Sequence, residues 1–393
     1  MIIDNEIIYL DNNATTQLDP AVIEEMLPFL TKYYGNPSSG YGFAAMARKA
    51  INLARERVAA LLGCEPTDIV FTSGGTESNN AVINSTLQAE AHSGHVIASA
   101  VEHSAVLRPS QDLAKRGCAV TFLGIDRHGN LDLGQLEAAI RPETALVSIM
   151  WANNETGVIF PIEKIAEICR QKGALFHTDA VQAAGKIPMC LRDTAINFLS
   201  LSAHKFHGPK GVGALYVDRR TRFSPLIGGG GQENGRRGGT ENVASIVGLG
   251  KAAELALNYL AEGRCDIRSM RDRFEKSVLK AVNGASVNGA GADRILNTSS
   301  FSFDGIESSA ALLLLDRQGI CCSAGSACRT GSQEASHVLS AMNPGGDVAR
   351  RSLRFSLGRF NTDAQINRAI EVVPRVVEKL RQIATPSPVA TAL

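Results

Sequence analysis

The sequence predicts an α/β chain, with a large unit built on a mainly parallel sheet and a smaller α+β unit after it. Three observations carry this reading. The 393 residues exceed the roughly 250–300 at which one hydrophobic core stops growing. From about residue 50, amphipathic helical stripes alternate with short, uniformly apolar runs, the pattern of strands covered on both faces. After about residue 255 the alternation gives way to a long charged helix and more widely spaced strands.

The elements follow in order. Ile51 to Leu62 predicts an amphipathic helix, with Leu53, Val58, Leu61 and Leu62 apolar and Arg55, Glu56 and Arg57 solvated. The runs at Ile69 to Phe71, Val96 to Ala98, Val120 to Leu123, Ala145 to Met150 and Ala174 to Phe176 predict strands. Between the last two lies a helix with written ends: Pro161 for its first turn, a stripe of Ile162, Ile165, Ala166 and Cys169, and Gly173 for a left-handed cap. Phe198 to Leu201 and Val212 to Val217 are two more strands. In the smaller unit, Cys265 to Val282 predicts a helix, and Thr298 to Phe303 and Ser352 to Leu357 predict strands. Ile383 to Leu393, rich in Pro, Ala and Thr, is expected to fray.

Composition narrows the function classes. The chain is 44% hydrophobic and 20% charged with a net charge of +1, which excludes disorder, collagen and a small disulfide scaffold. That balance gives no electrostatic case for nucleic acid or an anionic membrane as partner. No apolar run approaches the roughly 18 residues that span a bilayer. Met1 to Leu10 carries Asp4 and Glu6 and lacks a basic start, so a signal peptide is not expected. Eight cysteines occur without a CxxC, and the expected setting is a reducing cytoplasm with free thiols.

Six segments could carry chemistry. Lys205, in Ser202-Ala203-His204-Lys205, sits between two strands; as an isolated lysine it reads as a turn residue, but His204 and Ser202 make it a candidate Schiff-base lysine. In Thr72-Ser73-Gly74-Gly75-Thr76 a strand opens through glycines into a helix, either an anion site or a plain turn. Asp179, with Gln182 nearby, ends a buried strand, where it caps a helix or faces a pyridinium nitrogen. His103 is a satisfied core histidine, or a ring that stacks on a flat cofactor and moves a proton.

The fifth segment, Gly228 to Asn242, reads as an extended loop ending at Thr240, placed to reach a phosphate in a partner subunit. The nearby Gly248-x-Gly250-x-x-Ala253 follows no clean strand and reads as helix packing. The sixth, Ser323 to Ser332, surrounds Cys328 with small residues, unlike a packed structural thiol. Cys321 and Cys322 read as packed hydrophobes. Zinc binding by Cys321, Cys322 and Cys328 is the alternative, but vicinal cysteines cannot easily both face one tetrahedral ion, so no resident metal is expected.

Taken together, the phosphate turn, the strand-end aspartate and the lysine resemble a pyridoxal-phosphate enzyme of aminotransferase fold. More specifically, Tyr9-Leu10-Asp11-Asn12-Asn13-Ala14-Thr15-Thr16, Gly35-Asn36-Pro37-Ser38-Ser39, Trp151-Ala152-Asn153-Asn154-Glu155-Thr156-Gly157, the lysine segment and Gly325-Ser326-Ala327-Cys328 resemble the cysteine desulfurases. The similarity runs from about residue 9 to residue 360 and is strongest to the nitrogen-fixation type. It implies the type I fold, with a seven-stranded sheet in a large domain of residues 15–255 and a small domain of residues 1–14 and 256–393.

The resemblance also implies roles. Lys205 would hold pyridoxal 5'-phosphate covalently, Asp179 would pair with its ring nitrogen, Gln182 would bond its phenolic oxygen and His103 would stack on the ring. Gly75, Thr76, Ser202, His204 and the Thr240 of a second subunit would hold the phosphate. Asn154 and Arg354 would hold the substrate carboxylate, and Cys328 would accept sulfur. L-cysteine would then yield alanine and a Cys328 persulfide in a homodimer, for transfer to an iron–sulfur cluster scaffold. Tyr41, Cys321, Cys322 and Arg329 depart from the family's wording, and none of them removes a catalytic group. Rival readings are a related aminotransferase or selenocysteine lyase, and a non-enzymatic cysteine-rich metal binder.

Overall fold

The structure, a computed structural model, describes residues 7–89, 94–263, 266–324 and 335–384. Cys265, Cys328, Arg329 and the tail from residue 385 lie outside the described residues.

The chain opens with a short strand β1 (Ile8–Tyr9), helices α1 (Pro20–Thr31) and α2 (Gly42–Leu62), and strand β2 (Ile69–Thr72). Alternation then sets in: α3 (Gly75–Ala89), β3 (His95–Ser99), α4 (Ser104–Lys115), β4 (Val120–Leu123), α5 (Leu133–Ala139), β5 (Thr144–Ser148), α6 (Ile162–Lys172) and β6 (Leu175–Asp179). Strands β7 (Phe198–Ser202) and β8 (Gly213–Val217) complete a seven-stranded sheet of order β2-β8-β7-β6-β5-β3-β4. Only β8 runs against its neighbours. The uniformly apolar runs are buried from end to end in β2, β7 and β8, as two covered faces require.

Two boundaries differ from the sequence reading. Helix α2 begins nine residues early, because Ala44, Ala47, Ile51 and Ala54 already form a buried stripe of small residues among the charges. Pro161 precedes α6 as its N-cap rather than entering the first turn, while Gly173 takes the left-handed cap at φ 77°. A third difference is at the end of the chain. Ile383 and Ala384, expected to fray, still belong to the last helix.

Helix α7 (Val243–Ala261) packs on α2 so closely that a Cβ on Gly250 would stand 2.5 Å from Ala54 Cα. The glycines there serve helix packing, as expected.

A second hydrophobic cluster gathers the rest of the chain. Helix α8 (Asp266–Ala281), strands β9 (Ala285–Val287) and β10 (Thr298–Phe303), helix α9 (Ser308–Asp316), strand β11 (Ile320–Cys321), strand β12 (Ser352–Ser356) and helix α11 (Asp363–Ala384) supply it, whereas helix α10 (His337–Met342) packs its Val338, Leu339 and Met342 into the first cluster. Strands β12, β10 and β9 form an antiparallel sheet in that order. Phe274 meets Phe301 edge-on at 5.6 Å between ring centroids, with Phe355 and Phe303 beside them. Strand β1 pairs in parallel with β11, so Ile8 and Leu10 are buried in this second cluster. Among the described residues no helix is long and apolar enough to cross a membrane.

Candidate active site

A cavity of about 200 Å³ opens at the carboxyl ends of β6 and β7, where ligands bind in open α/β sheets. Gly75, Thr76, His103, Asn154, Asp179, Gln182, Ser202, His204, Lys205 and Arg354, all nominated from sequence, line it.

Each side chain arrives there for a local reason. Gly75 starts α3 straight after the Gly74 turn, and a Cβ on it would stand 2.6 Å from Val181 Cγ2. Only glycine lets that helix start approach so closely, and its amide groups make an anion site. Asp179 closes β6, is 5% exposed, and accepts from Asn79 Nδ2 at 2.7 Å and from Val181 N at 3.0 Å. Among the described residues no cation pairs with it. A buried carboxylate with amide donors alone suits a protonated ring nitrogen.

Lys205 ends a short 3-10 turn after β7, and its Nζ donates to Asn13 O at 2.7 Å and Ala14 O at 2.8 Å. His204 contacts Thr15 Oγ1 through Nδ1 at 3.1 Å. Burial, then the Lys205, Lys210 and Lys186 charges, push its ring down to about 4, so it is neutral at pH 7. His103 caps α4, with Nδ1 accepting from Ala105 N at 3.2 Å. That bond leaves the proton of the neutral ring on Nε2.

Arg354, in the middle of β12 and 2% exposed, donates to Asn154 O at 2.9 Å and to Asp11 at 2.6 Å. Its Nε is buried without a partner, a donor left over for an incoming carboxylate. The turn carrying Asn154 is held by Asn153 Oδ1, which accepts from the Glu155 and Thr156 amides at 2.9 and 3.0 Å.

Thr240 is the one nominated residue among those described that stays apart. It lines a separate cleft with Phe71, Ser73 and Arg237, and Arg237 reaches Glu77 in the first turn of α3 at 3.0 Å. Cys328 falls outside the described residues. Burial raises the thiols of Cys321 and Cys322; Cys322 packs against the second hydrophobic cluster, whereas Cys321 is half-buried and lies outside it. Among the described residues no group of histidines, cysteines and carboxylates could hold a metal.

Asn13, Ala14 and Asn79 also line the cavity and were not nominated as site residues. The Asn12-Asn13-Ala14 wording and the asparagine-rich start of α3 were the available signals. Neither says which residue faces inward.

Residues 8–369 match the family model described as aminotransferase class-V. The chain belongs to that family. Among its relatives, a cysteine desulfurase of Trichormus azollae is 52% identical over 378 residues, covering 96% of this chain and 94% of that one. The cysteine desulfurase NifS of Azotobacter vinelandii is 47% identical over 378 residues, with 96% and 94% covered. A solved structure described as a NifS-like protein superposes with a TM-score of 0.89 at 37% identity, covering 95% of this chain and all of that one.

Proposed function

We propose that the protein is a pyridoxal-phosphate-dependent cysteine desulfurase that moves sulfur from L-cysteine to Cys328. One observation carries the reading: a single cavity holds the Lys205 amine, the cation-free Asp179 carboxylate and the Arg354 guanidinium. These are what the cofactor's aldehyde, its ring nitrogen and an amino-acid carboxylate each need. When bound, pyridoxal phosphate supplies an electron sink for the substrate's α-carbon.

The chain's residues divide the remaining work. Arg354 and Asn154 orient the substrate carboxylate, and the α3 start, Ser202 and His204 hold the phosphate. Lys205 Nζ removes the α-proton, and His103 Nε2 carries a proton to or from the substrate. The Cys328 thiolate attacks the substrate sulfur. The carbon–sulfur bond breaks, a sulfur–sulfur bond forms, and the carbon keeps the electron pair and takes a proton, leaving alanine and a persulfide.

We assign residues 15–255 to a large domain, and 1–14 with 256–393 to a small one. Ile23, Leu27 and Leu30, 48–64% exposed along one face of α1, support a homodimer in which Thr240 serves the partner's phosphate. The sulfur acceptor is a scaffold for iron–sulfur clusters, of the nitrogenase type given the NifS similarity, in the cytoplasm.

The test is anaerobic incubation of the purified yellow protein with L-cysteine, followed by quantification of alanine and enzyme-bound sulfane sulfur. Equimolar alanine and transferred sulfur are expected. A requirement for an α-keto acid would make it an aminotransferase, and strong preference for selenocysteine would make it a selenocysteine lyase.

A further inference from the structure

Lys186 lies beside the cavity, and the mechanism above gives it no task. Gly185 turns the chain at φ 74°, and a Cβ there would stand 3.0 Å from Phe206 Cβ. The turn is therefore seated on the residue that follows Lys205. That seating brings Lys186 Nζ to Gln182, where it donates to Oε1 at 2.9 Å. A backbone carbonyl only accepts, so the second contact of the amide, to Asn13 O, settles which way it lies. Its oxygen faces Lys186, and its Nε2 donates to Asn13 O at 2.9 Å.

The same Asn13 oxygen accepts from Lys205 at 2.7 Å. The two lysines are thus the ends of one hydrogen-bonded chain through Gln182 and Asn13. Both also line a smaller cleft behind the cavity, together with His207, Tyr259 and Arg359. Among the described residues no carboxylate pairs with Lys186. Arg354 and Arg359 have their own acidic partners, Asp11 and Asp19. Burial first, then the charges of Lys205 and Arg354, pull the Lys186 amine down to about 7.

We propose that Lys186 is a positioning residue of the active site. It orients the Gln182 amide so that its N–H groups face the cofactor's phenolic oxygen, and it sets a second positive charge behind Lys205. Two close cations disfavour each other's protonated form, so Lys186 promotes the uncharged nitrogen of Lys205. The proposal rests on the pyridoxal reading and deepens it.

The experiment titrates the visible absorbance of bound pyridoxal phosphate against pH, without substrate, in wild type, Lys186→Met and Lys186→Arg holoenzymes. Lys186→Met should raise the midpoint by about one pH unit, the scale of one nearby charge in a semi-polar site. Lys186→Arg, which keeps the charge, should titrate at or below the wild-type midpoint. The Kd for pyridoxal phosphate should rise about fivefold in Lys186→Met, the scale of one misaligned hydrogen bond.

Equal shifts in both variants, or none in either, would overturn the proposal. Should Lys186→Met fail to fold, wild-type apoprotein carrying ¹³Cε-lysine gives a second readout by NMR, with the Lys186 signal assigned through Lys186→Arg. A Lys186 midpoint that rises when Lys205 is replaced by Met supports the charge pairing, and a midpoint that stays where it is in that variant overturns it. Borohydride reduction of the wild type separates the two levels. A label on Lys205 with unmoved midpoints rejects only the role of Lys186, whereas no label on Lys205 rejects the pyridoxal reading and this proposal with it.

Discussion

Arg354 Nη2 lies 2.6 Å from Asp11 Oδ1, across 343 residues of sequence. The pair joins β12 to the segment after β1 and neutralises a buried guanidinium at the wall of the cavity. Arg354 is therefore held in place and aimed before any substrate carboxylate reaches it.

Removing Asp11 should leave that charge buried and uncompensated. Asp11→Ala is expected to lower stability by about 3 kcal/mol, the usual consequence of breaking one side of a buried pair. Urea denaturation at pH 7.5 measures it. A loss under about 0.5 kcal/mol would mean that water or another group replaces the carboxylate.

His177 gives a pH-dependent prediction. It sits in β6 with Nδ1 2.8 Å from Ser148 Oγ on β5 and Nε2 3.0 Å from Ser200 Oγ on β7, and burial pushes its ring down to about 3. The unfolded chain takes up a proton below about pH 6.5, while the folded ring does not, so stability falls as pH drops from 6.5 towards 3. At pH 5 the loss from this residue is about 2 kcal/mol. Glu102, pushed up to about 8 by burial, acts in the opposite direction, so comparison with a variant isolates the effect. His177→Gln should be less stable at pH 7.5 and show a shallower decline between pH 6.5 and 4.5 in thermal melts. Parallel curves would assign the decline to other groups.

Gly250 tests the close contact of α7 with α2. With the place of its Cβ 2.5 Å from Ala54 Cα, Gly250→Val cannot be accommodated without separating the helices. A loss of about 1–3 kcal/mol is expected in chemical denaturation, as for other overpacked cores. A neutral outcome would show that the helix pair slides freely.

Cys328 separates cofactor binding from sulfur acceptance. Cys328→Ser should bind pyridoxal phosphate and change its spectrum on adding L-cysteine, yet form no persulfide and almost no alanine. Cys321→Ala and Cys322→Ala should stay active, since neither lines the cavity. Wild-type rates in Cys328→Ser would instead make the protein a lyase that releases sulfide.

Whatever depends on near neighbours in the chain was legible without coordinates. Apolar runs marked the buried strands, Gly173 marked the end of α6, and the Gly74-Gly75 turn, Asp179 and Lys205 could be nominated because each stands at a strand end. The mixed wording before Ile51 hid the start of α2, since its stripe is made of alanines whose burial is only apparent once α7 lies against them. Distant partnerships belong to the tertiary structure alone. Asn79 meets Asp179 across 100 residues, Asp11 meets Arg354 across 343, and Lys186 reaches Lys205 only through Gln182 and Asn13. The reason is physical: local pattern sets which face of an element is apolar, whereas the partner of a buried polar atom is set by how separate elements pack.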